Sequence, residues 1–193
     1  MSGNSRISQH QVLGSGSKKD NSVNKPTVGI SACLLGHCVR YNGEHKRHDW
    51  IVNEFGKQVD FVPICPEIEM GLGVPRKTLR LIIRDSQTRM VLNESGEDLT
   101  DLALSSSRRI LSKLPRMDGY IFKKDSPSCG LSGVKLYTPD GNCGTGGTGI
   151  FSQEFRKSFA GIPVIEESDL NVLEAQAHFR NAVLKAAREH STT

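Results

Sequence analysis

Residues 28–33 read Val-Gly-Ile-Ser-Ala-Cys, a short apolar run that ends at a cysteine. The run predicts a buried strand over Val28–Ala32, because it is apolar, short and followed by turn-forming residues. Two later runs, Val59–Ile64 and Gly119–Lys123, have the same form and lead into Cys65 and into a loop that contains Cys129. Amphipathic stretches separate these runs. The alternation predicts a single α/β domain with a mainly parallel, Rossmann-like or flavodoxin-like sheet flanked by helices.

The other elements are predicted from their local patterns. Leu79–Ile83 and Arg89–Asn93 flank the polar turn Asp85-Ser86-Gln87 and predict a hairpin. A helix capped by Thr100 or Asp101 is predicted. Its buried face is expected to hold Leu99, Leu102, Ala103, Ile110 and Leu114. Further helices are predicted over Asp49–Gln58, after Gly149 and over Asp169–Glu189, and further strands over Val134–Tyr137 and Ile162–Ile165.

Residues 1–25 form a polar, basic segment with almost no large apolar residues. They hold four cationic residues and one acidic residue, which is +3 of the chain's formal net charge of +4. Such a segment cannot bury enough apolar surface to offset the entropy of ordering it, so we expect a disordered tail followed by one domain over residues 26–193. The remainder is close to neutral, which is not typical of a nucleic-acid-binding surface.

The five cysteines are expected to be reduced. The sequence has no apolar run long enough to cross a bilayer and no N-terminal secretory pattern, which predicts a cytoplasmic protein. Disulfides rarely persist in that compartment, and an odd number of cysteines also argues against a disulfide framework. The thiols are therefore buried apolar groups, nucleophiles or metal ligands.

Three of the cysteines, Cys33, Cys65 and Cys129, each follow the end of a predicted buried strand. The carboxyl ends of parallel strands line one edge of a sheet, so these thiols can meet there if their strands are neighbours. From the residues alone, unrelated buried thiols, a zinc site and an iron–sulfur cluster all stay open. The zinc candidates are Cys33, His37, Cys38 and His45 or His48. Three cysteines would leave one iron of a cubane cluster without a protein ligand, as Lewis-acid catalysis requires.

Short motifs surround these three cysteines. They are Ser31–Gly36 with Val39–Tyr41, Cys65–Glu67 with Gly71–Gly73 and Pro75-Arg76, and Lys124–Gly130. In this order they resemble the TudS family of thiouracil desulfidases. The resemblance extends from about Thr27 to Val183 and is specific, because three motifs match in sequence order.

The resemblance implies a chemistry for several residues. A [4Fe–4S] cluster would be held by Cys33, Cys65 and Cys129, and its remaining iron would bind the sulfur of a thiolated pyrimidine. Glu67 and Ser126 would lie beside the water that replaces this sulfur, in a reaction without net redox change. The alternatives are a desulfidase of thiouridine in tRNA, assisted by the basic tail, and a non-catalytic cluster- or metal-binding sensor. Asn42 departs from the family pattern, which is acidic at this position.

Residues outside the three-cysteine pattern have less specific interpretations. Gly144–Gly149 fits the G-x-G-x-x-G pattern of dinucleotide-binding folds, but a turn at Pro139–Asn142 separates it from the preceding strand. A loop that faces the substrate is favoured over a plain tight turn. Its candidate contacts are Gly146 and Gly147, and Arg40 and Arg76 in the motif loops are further candidates. Cys38 and Cys143 are expected to be free thiols.

Overall fold

The computed structural model describes residues 25–191, so that all of the predicted tail except Lys25 lies outside the described residues. These residues form eight strands and five α-helices. In chain order they are β1 (Thr27–Ser31), α1 (Asp49–Asn53), β2 (Asp60–Ile64), α2 (Pro66–Glu69), β3 (Leu79–Arg84), β4 (Gln87–Leu92), α3 (Thr100–Leu111), β5 (Gly119–Phe122), β6 (Val134–Tyr137), β7 (Cys143–Gly147), α4 (Ile150–Ser158), β8 (Val164–Glu166) and α5 (Leu173–Ser191). Across this part of the chain, no helix is long and apolar enough to span a bilayer.

A four-stranded sheet in the order β2-β1-β5-β8 forms the centre of the fold, and all of its strand pairs are parallel. Strand β5 is buried throughout and β1 nearly so, as expected for strands that helices cover on both faces. The predicted parallel α/β fold is thus confirmed. Strand β1 lies between β2 and β5, so the three strands that precede the cysteines are immediate neighbours.

Helices pack on both faces of this sheet because successive strand residues point to opposite sides. On one face, Val28 and Ile30 of β1 share a buried cluster with residues of α5. On the other, Tyr120 and Phe122 of β5 share a buried cluster with residues of α3 and α4. Each fully buried side chain of this size contributes roughly 1.5–3 kcal/mol relative to an exposed one.

A second sheet, in the order β4-β3-β6-β7, was not predicted as such. Its first two strands form the predicted hairpin, with Asp85 and Ser86 at positive φ in the two-residue turn. Strand β7 corrects the prediction of a loop over residues 144–149, since it pairs with β6 in antiparallel orientation. This pairing uses backbone groups, so a glycine-rich segment can form it despite its low strand propensity.

The start of α3 also corrects the prediction. The backbone N–H of Thr100 donates to the Asp98 carboxylate at 2.9 Å, so Asp98, and not Thr100 or Asp101, supplies the side-chain acceptor. Leu99, Ala103 and Ile110 are buried as predicted, whereas Leu102 is 39% exposed. Consecutive helix positions differ by about 100°, which places Leu102 at the border of the apolar face.

Two predicted helices are each divided into a 3₁₀ turn and an α-helix. The predicted helix Asp49–Gln58 is α1 followed by a 3₁₀ turn over Phe55–Lys57. The predicted terminal helix begins with a 3₁₀ turn over Asp169–Asn171 and continues as α5.

Candidate active site

Cys33, Cys65 and Cys129 line one cavity of about 510 Å³. Cys33 follows the end of β1, Cys65 directly follows β2, and Cys129 lies in the loop after β5. The cavity is therefore at the carboxyl edge of the parallel sheet, where ligands of open α/β folds bind. Glu67, Ser126, Arg40 and Arg76 line the same cavity, so the structure brings together seven of the nine residues predicted to bind the cluster, bind the substrate or act in catalysis.

A tight turn after β1 holds Cys33. Residues Ala32–Leu35 form a 3₁₀ turn that ends at Gly36, whose φ of 101° is in the left-handed region that glycine adopts without strain. The carbonyl of Cys33 accepts hydrogen bonds from the backbone N–H of Gly36 at 3.3 Å and of Lys46 at 2.9 Å. The Cys33 backbone is thus fixed from two sides.

The loop that carries Cys129 is held by Ser126 and by α4. The Ser126 hydroxyl oxygen accepts the backbone N–H of Ser128 at 3.2 Å and of Cys129 at 3.0 Å. Gly149, at the start of α4, packs closely against this loop. A Cβ atom at position 149 would overlap the Ser128 carbonyl. Because both lone pairs of Ser126 Oγ receive backbone donors, its O–H remains a donor toward the cavity.

Glu67 is held by two neighbouring side chains. Arg76 donates to Oε2 through Nε at 2.8 Å and through Nη2 at 2.7 Å. Ser128 donates through its hydroxyl to Oε1 at 3.0 Å. The third nitrogen of Arg76 donates to the Gly73 carbonyl at 2.9 Å, and only 5% of the Arg76 side chain is exposed. Arg76 was singled out as a candidate substrate contact, whereas its guanidinium in this structure binds the carboxylate.

The three thiols have raised pKa values. The pKa of Cys33 is raised to about 11, mainly by burial and in second place by negative charge on Cys65. Burial is also the main reason why the pKa of Cys65 is raised and why that of Cys129 lies well above its usual range. Because the thiolate is the reactive nucleophile, these cysteines are poorly suited to nucleophilic catalysis by themselves. A metal that binds them must displace their protons.

The donor set fits a cluster better than a single metal ion. In residues 25–191, no group of three or more His, Cys, Asp or Glu side chains is placed to hold one metal ion. The zinc set that began with Cys33, His37 and Cys38 is therefore not assembled. In a cubane cluster each cysteine binds a different iron, so three thiols that line one cavity at separate positions fit a cluster of this kind.

The other residues singled out in the sequence lie elsewhere or have other partners. Arg40 lines the cavity and pairs with Glu44 at 3.3 Å. Gly146 and Gly147 lie on β7 and are not among the residues that line the cavity. Cys38 and Cys143 are exposed, free thiols outside it.

Several residues of the site were not predicted from the sequence, among them Ser128, Lys123 and Lys124. Ser128 lies in the same motif as Ser126 and Cys129, so its position in the loop was the available signal. Lys123 and Lys124 line the cavity, and Lys123 Nζ pairs with Glu167 at 2.5 Å. Their place directly after β5, at the edge where the cysteines meet, would have identified them.

Comparison with known proteins identifies relatives of this chain. A family model described as 2-thiouracil desulfurase matches residues 28–167, which include the three cysteines, Glu67 and Ser126. A solved structure described as the [4Fe-4S]-dependent thiouracil desulfidase TudS is 29% identical in sequence, with a TM-score of 0.61. The match covers 80% of this chain and 99% of that one. Comparison with curated proteins gives no match.

Proposed function

The chain belongs to the 2-thiouracil desulfurase family and is an enzyme of thiouracil desulfuration, and we propose that Cys33, Cys65 and Cys129 hold a [4Fe–4S] cluster for this reaction. One observation carries the proposal. Three thiols at the ends of three adjacent parallel strands line a single cavity together with Glu67 and Ser126. The cavity volume of about 510 Å³ is in the range of small-molecule sites and accommodates a pyrimidine.

The cluster and the protein side chains have separate tasks. When bound, the cluster supplies an iron without a protein ligand, which acts as a Lewis acid toward the thiocarbonyl sulfur. The overall reaction replaces this sulfur by the oxygen of water and releases sulfide, so no electron donor is consumed. All five cysteines are free thiols, a state that persists in a reducing compartment such as the cytoplasm, where we propose that the enzyme acts.

Glu67 is proposed to accept a proton from the attacking water, and Ser126 is proposed to orient this water. Oε2 of Glu67 accepts two N–H groups of Arg76, whereas Oε1 accepts only the Ser128 hydroxyl and so keeps a lone pair that can accept a proton. The hydroxyl of Ser126 can donate to the water or to the substrate. A base on α2 and a donor in the loop that carries Cys129, both lining one cavity, are what general acid–base catalysis of water attack requires.

Arg76 is expected to act by positioning Glu67. Arg76→Lys retains the positive charge but loses the two-nitrogen contact with the carboxylate. We expect kcat to fall by about 10- to 100-fold with KM little changed, because a small misplacement of a catalytic group has effects of this size. Steady-state kinetics with thiouracil measures both, and Arg84→Lys, at a position that does not line the cavity, is the matched control. A rise in KM at constant kcat would instead indicate that Arg76 binds substrate.

The charge of the cavity favours thiouridine in RNA as a second candidate substrate. Five cationic residues line the cavity against two acidic ones, Glu67 and Asp125. The cationic residues are Arg40, Lys46, Arg76, Lys123 and Lys124. Arg76, Arg40 and Lys123 are paired with carboxylates, so the salt-dependent attraction of the cavity for phosphate groups rests mainly on Lys46 and Lys124. The basic tail that was expected to assist lies outside the described residues.

One experiment tests the proposed function and this alternative. The full chain is purified without oxygen, its iron and sulfide are counted, and sulfide release is followed with free 2-thiouracil and with thiolated tRNA at matched ionic strength. We expect about four iron atoms per chain and turnover of free thiouracil. Turnover of the tRNA alone would favour the second candidate. A loaded cluster with no turnover of either substrate would favour a non-catalytic sensor.

A further inference from the structure

Tyr41 is the only phenylalanine, tyrosine or tryptophan within residues 25–191 that lines the cysteine cavity. It is also 43% exposed, whereas every other such residue in this part of the chain is buried or half-buried. A single exposed ring elsewhere on a protein surface is common and needs no explanation. At the wall of a small-molecule cavity, however, an exposed ring offers a flat apolar face to the ligand.

The loop that carries Tyr41 is joined to two parts of the active site. The carbonyl oxygen of Val39, two residues before Tyr41, lies 3.8 Å from Sγ of Cys65. The carbonyl of Tyr41 itself accepts the backbone N–H of Arg76 at 2.9 Å. The side chain of Arg76 in turn holds the carboxylate of Glu67. The position of Tyr41 relative to the thiol and to the carboxylate is therefore set by direct contacts of its own loop.

The turn around Tyr41 and the side chain of Arg40 restrict the ring. The backbone N–H of Gly43 donates to the Arg40 carbonyl at 2.9 Å, which closes a tight turn at this position. The guanidinium of Arg40 lies over the Tyr41 ring, 5.6 Å from its centroid. Arg40 is itself paired with the Glu44 carboxylate at 3.3 Å. A cation thus covers one part of the ring, and the exposed part is accessible to a ligand.

We propose that the ring of Tyr41 stacks on the pyrimidine ring of the substrate and selects planar, unsaturated rings. This inference rests on the proposed function, in which a thiolated pyrimidine occupies the cavity. Stacking requires only a flat π face of the ligand. It leaves the edges of the pyrimidine, including the thiocarbonyl sulfur, free to contact other groups of the cavity. Tyr41 is thus a specificity-determining residue that touches the substrate and takes no part in proton transfer.

Uracil and 5,6-dihydrouracil are the probes that test the proposal, because they carry the same carbonyl and N–H groups but only uracil is planar and unsaturated. Calorimetric titration of the full chain, purified without oxygen and loaded with its cluster, measures the affinity for each. We expect the wild type to bind uracil roughly 5- to 150-fold more tightly than dihydrouracil. Tyr41→Leu should lose this preference, and Tyr41→Phe should keep it because the ring is retained. With thiouracil, Tyr41→Leu should raise KM by a similar factor and change kcat little, because stacking binds substrate and transition state alike.

Tyr137→Leu on β6 is the matched control. Arg80 lies over the Tyr137 ring, 5.5 Å from its centroid, but Tyr137 does not line the cavity, so this variant should keep the wild-type preference and KM. Equal affinity of the wild type for the two probes, or an unchanged preference in Tyr41→Leu, would overturn the inference, and continued turnover of thiouracil would leave the proposed function intact. A loaded protein that prefers uracil through Tyr41 but releases no sulfide from thiouracil would overturn the proposed function and not this inference.

Discussion

Cys65→Ser is expected to abolish the visible absorption of the cluster at roughly 400 nm and to leave little bound iron. Serine is nearly isosteric but supplies no thiolate, which is the group that binds iron. Cys65 directly follows β2 and is only partly buried, so its replacement should leave the fold intact. Iron and sulfide counts and the absorption spectrum of anaerobically purified protein measure the effect. Cys33→Ser and Cys129→Ser are expected to behave in the same way.

The two remaining cysteines provide the controls for this prediction. Cys38 and Cys143 are exposed and do not line the cavity. Cys38→Ser and Cys143→Ser should therefore retain the full absorption and iron content. A complete cluster in Cys65→Ser, or its loss in Cys143→Ser, would contradict the assigned ligands.

The sequence predicted which strands carry the cysteines but not that these strands are neighbours. The apolar runs before Cys33, Cys65 and Cys129 are local signals, and each run is a strand in the structure. The order β2-β1-β5 depends on how the crossover helices pack, which no local pattern encodes. The motif resemblance supplied this information indirectly, because it required the three cysteines to meet.

Residues whose roles depend on a distant partner were assigned less well. Arg76 was interpreted as a candidate substrate contact because it lies in a motif loop. Its actual partner, Glu67, is nine positions away, and only the path of the intervening chain brings the two together.

Glu67→Gln is expected to slow desulfuration by about 10²- to 10⁴-fold, the usual range for loss of a general base. Glutamine has nearly the same shape but cannot accept the proton of water. It also leaves the buried guanidinium of Arg76 without its counter-charge, so the melting temperature should fall as well. The rate is therefore expressed per bound cluster, after iron has been counted. Glu69→Gln is the matched control, because Glu69 lies on the same short helix and does not line the cavity.

Ser126 is expected to matter less than Glu67, and the source of the new oxygen tests the shared mechanism. Ser126→Ala removes one donor to the water, which corresponds to roughly 1–2 kcal/mol of barrier, or about a 5- to 30-fold slower reaction. Because it also removes the acceptor of the Ser128 and Cys129 N–H groups, its rate is likewise expressed per bound cluster. If water attacks the carbon with help from Glu67, uracil formed in ¹⁸O-labelled water must carry the label, since no other oxygen donor takes part. Mass spectrometry of the product measures this. Unlabelled uracil, or a strict need for an added electron donor, would contradict hydrolysis even where the cluster is fully loaded.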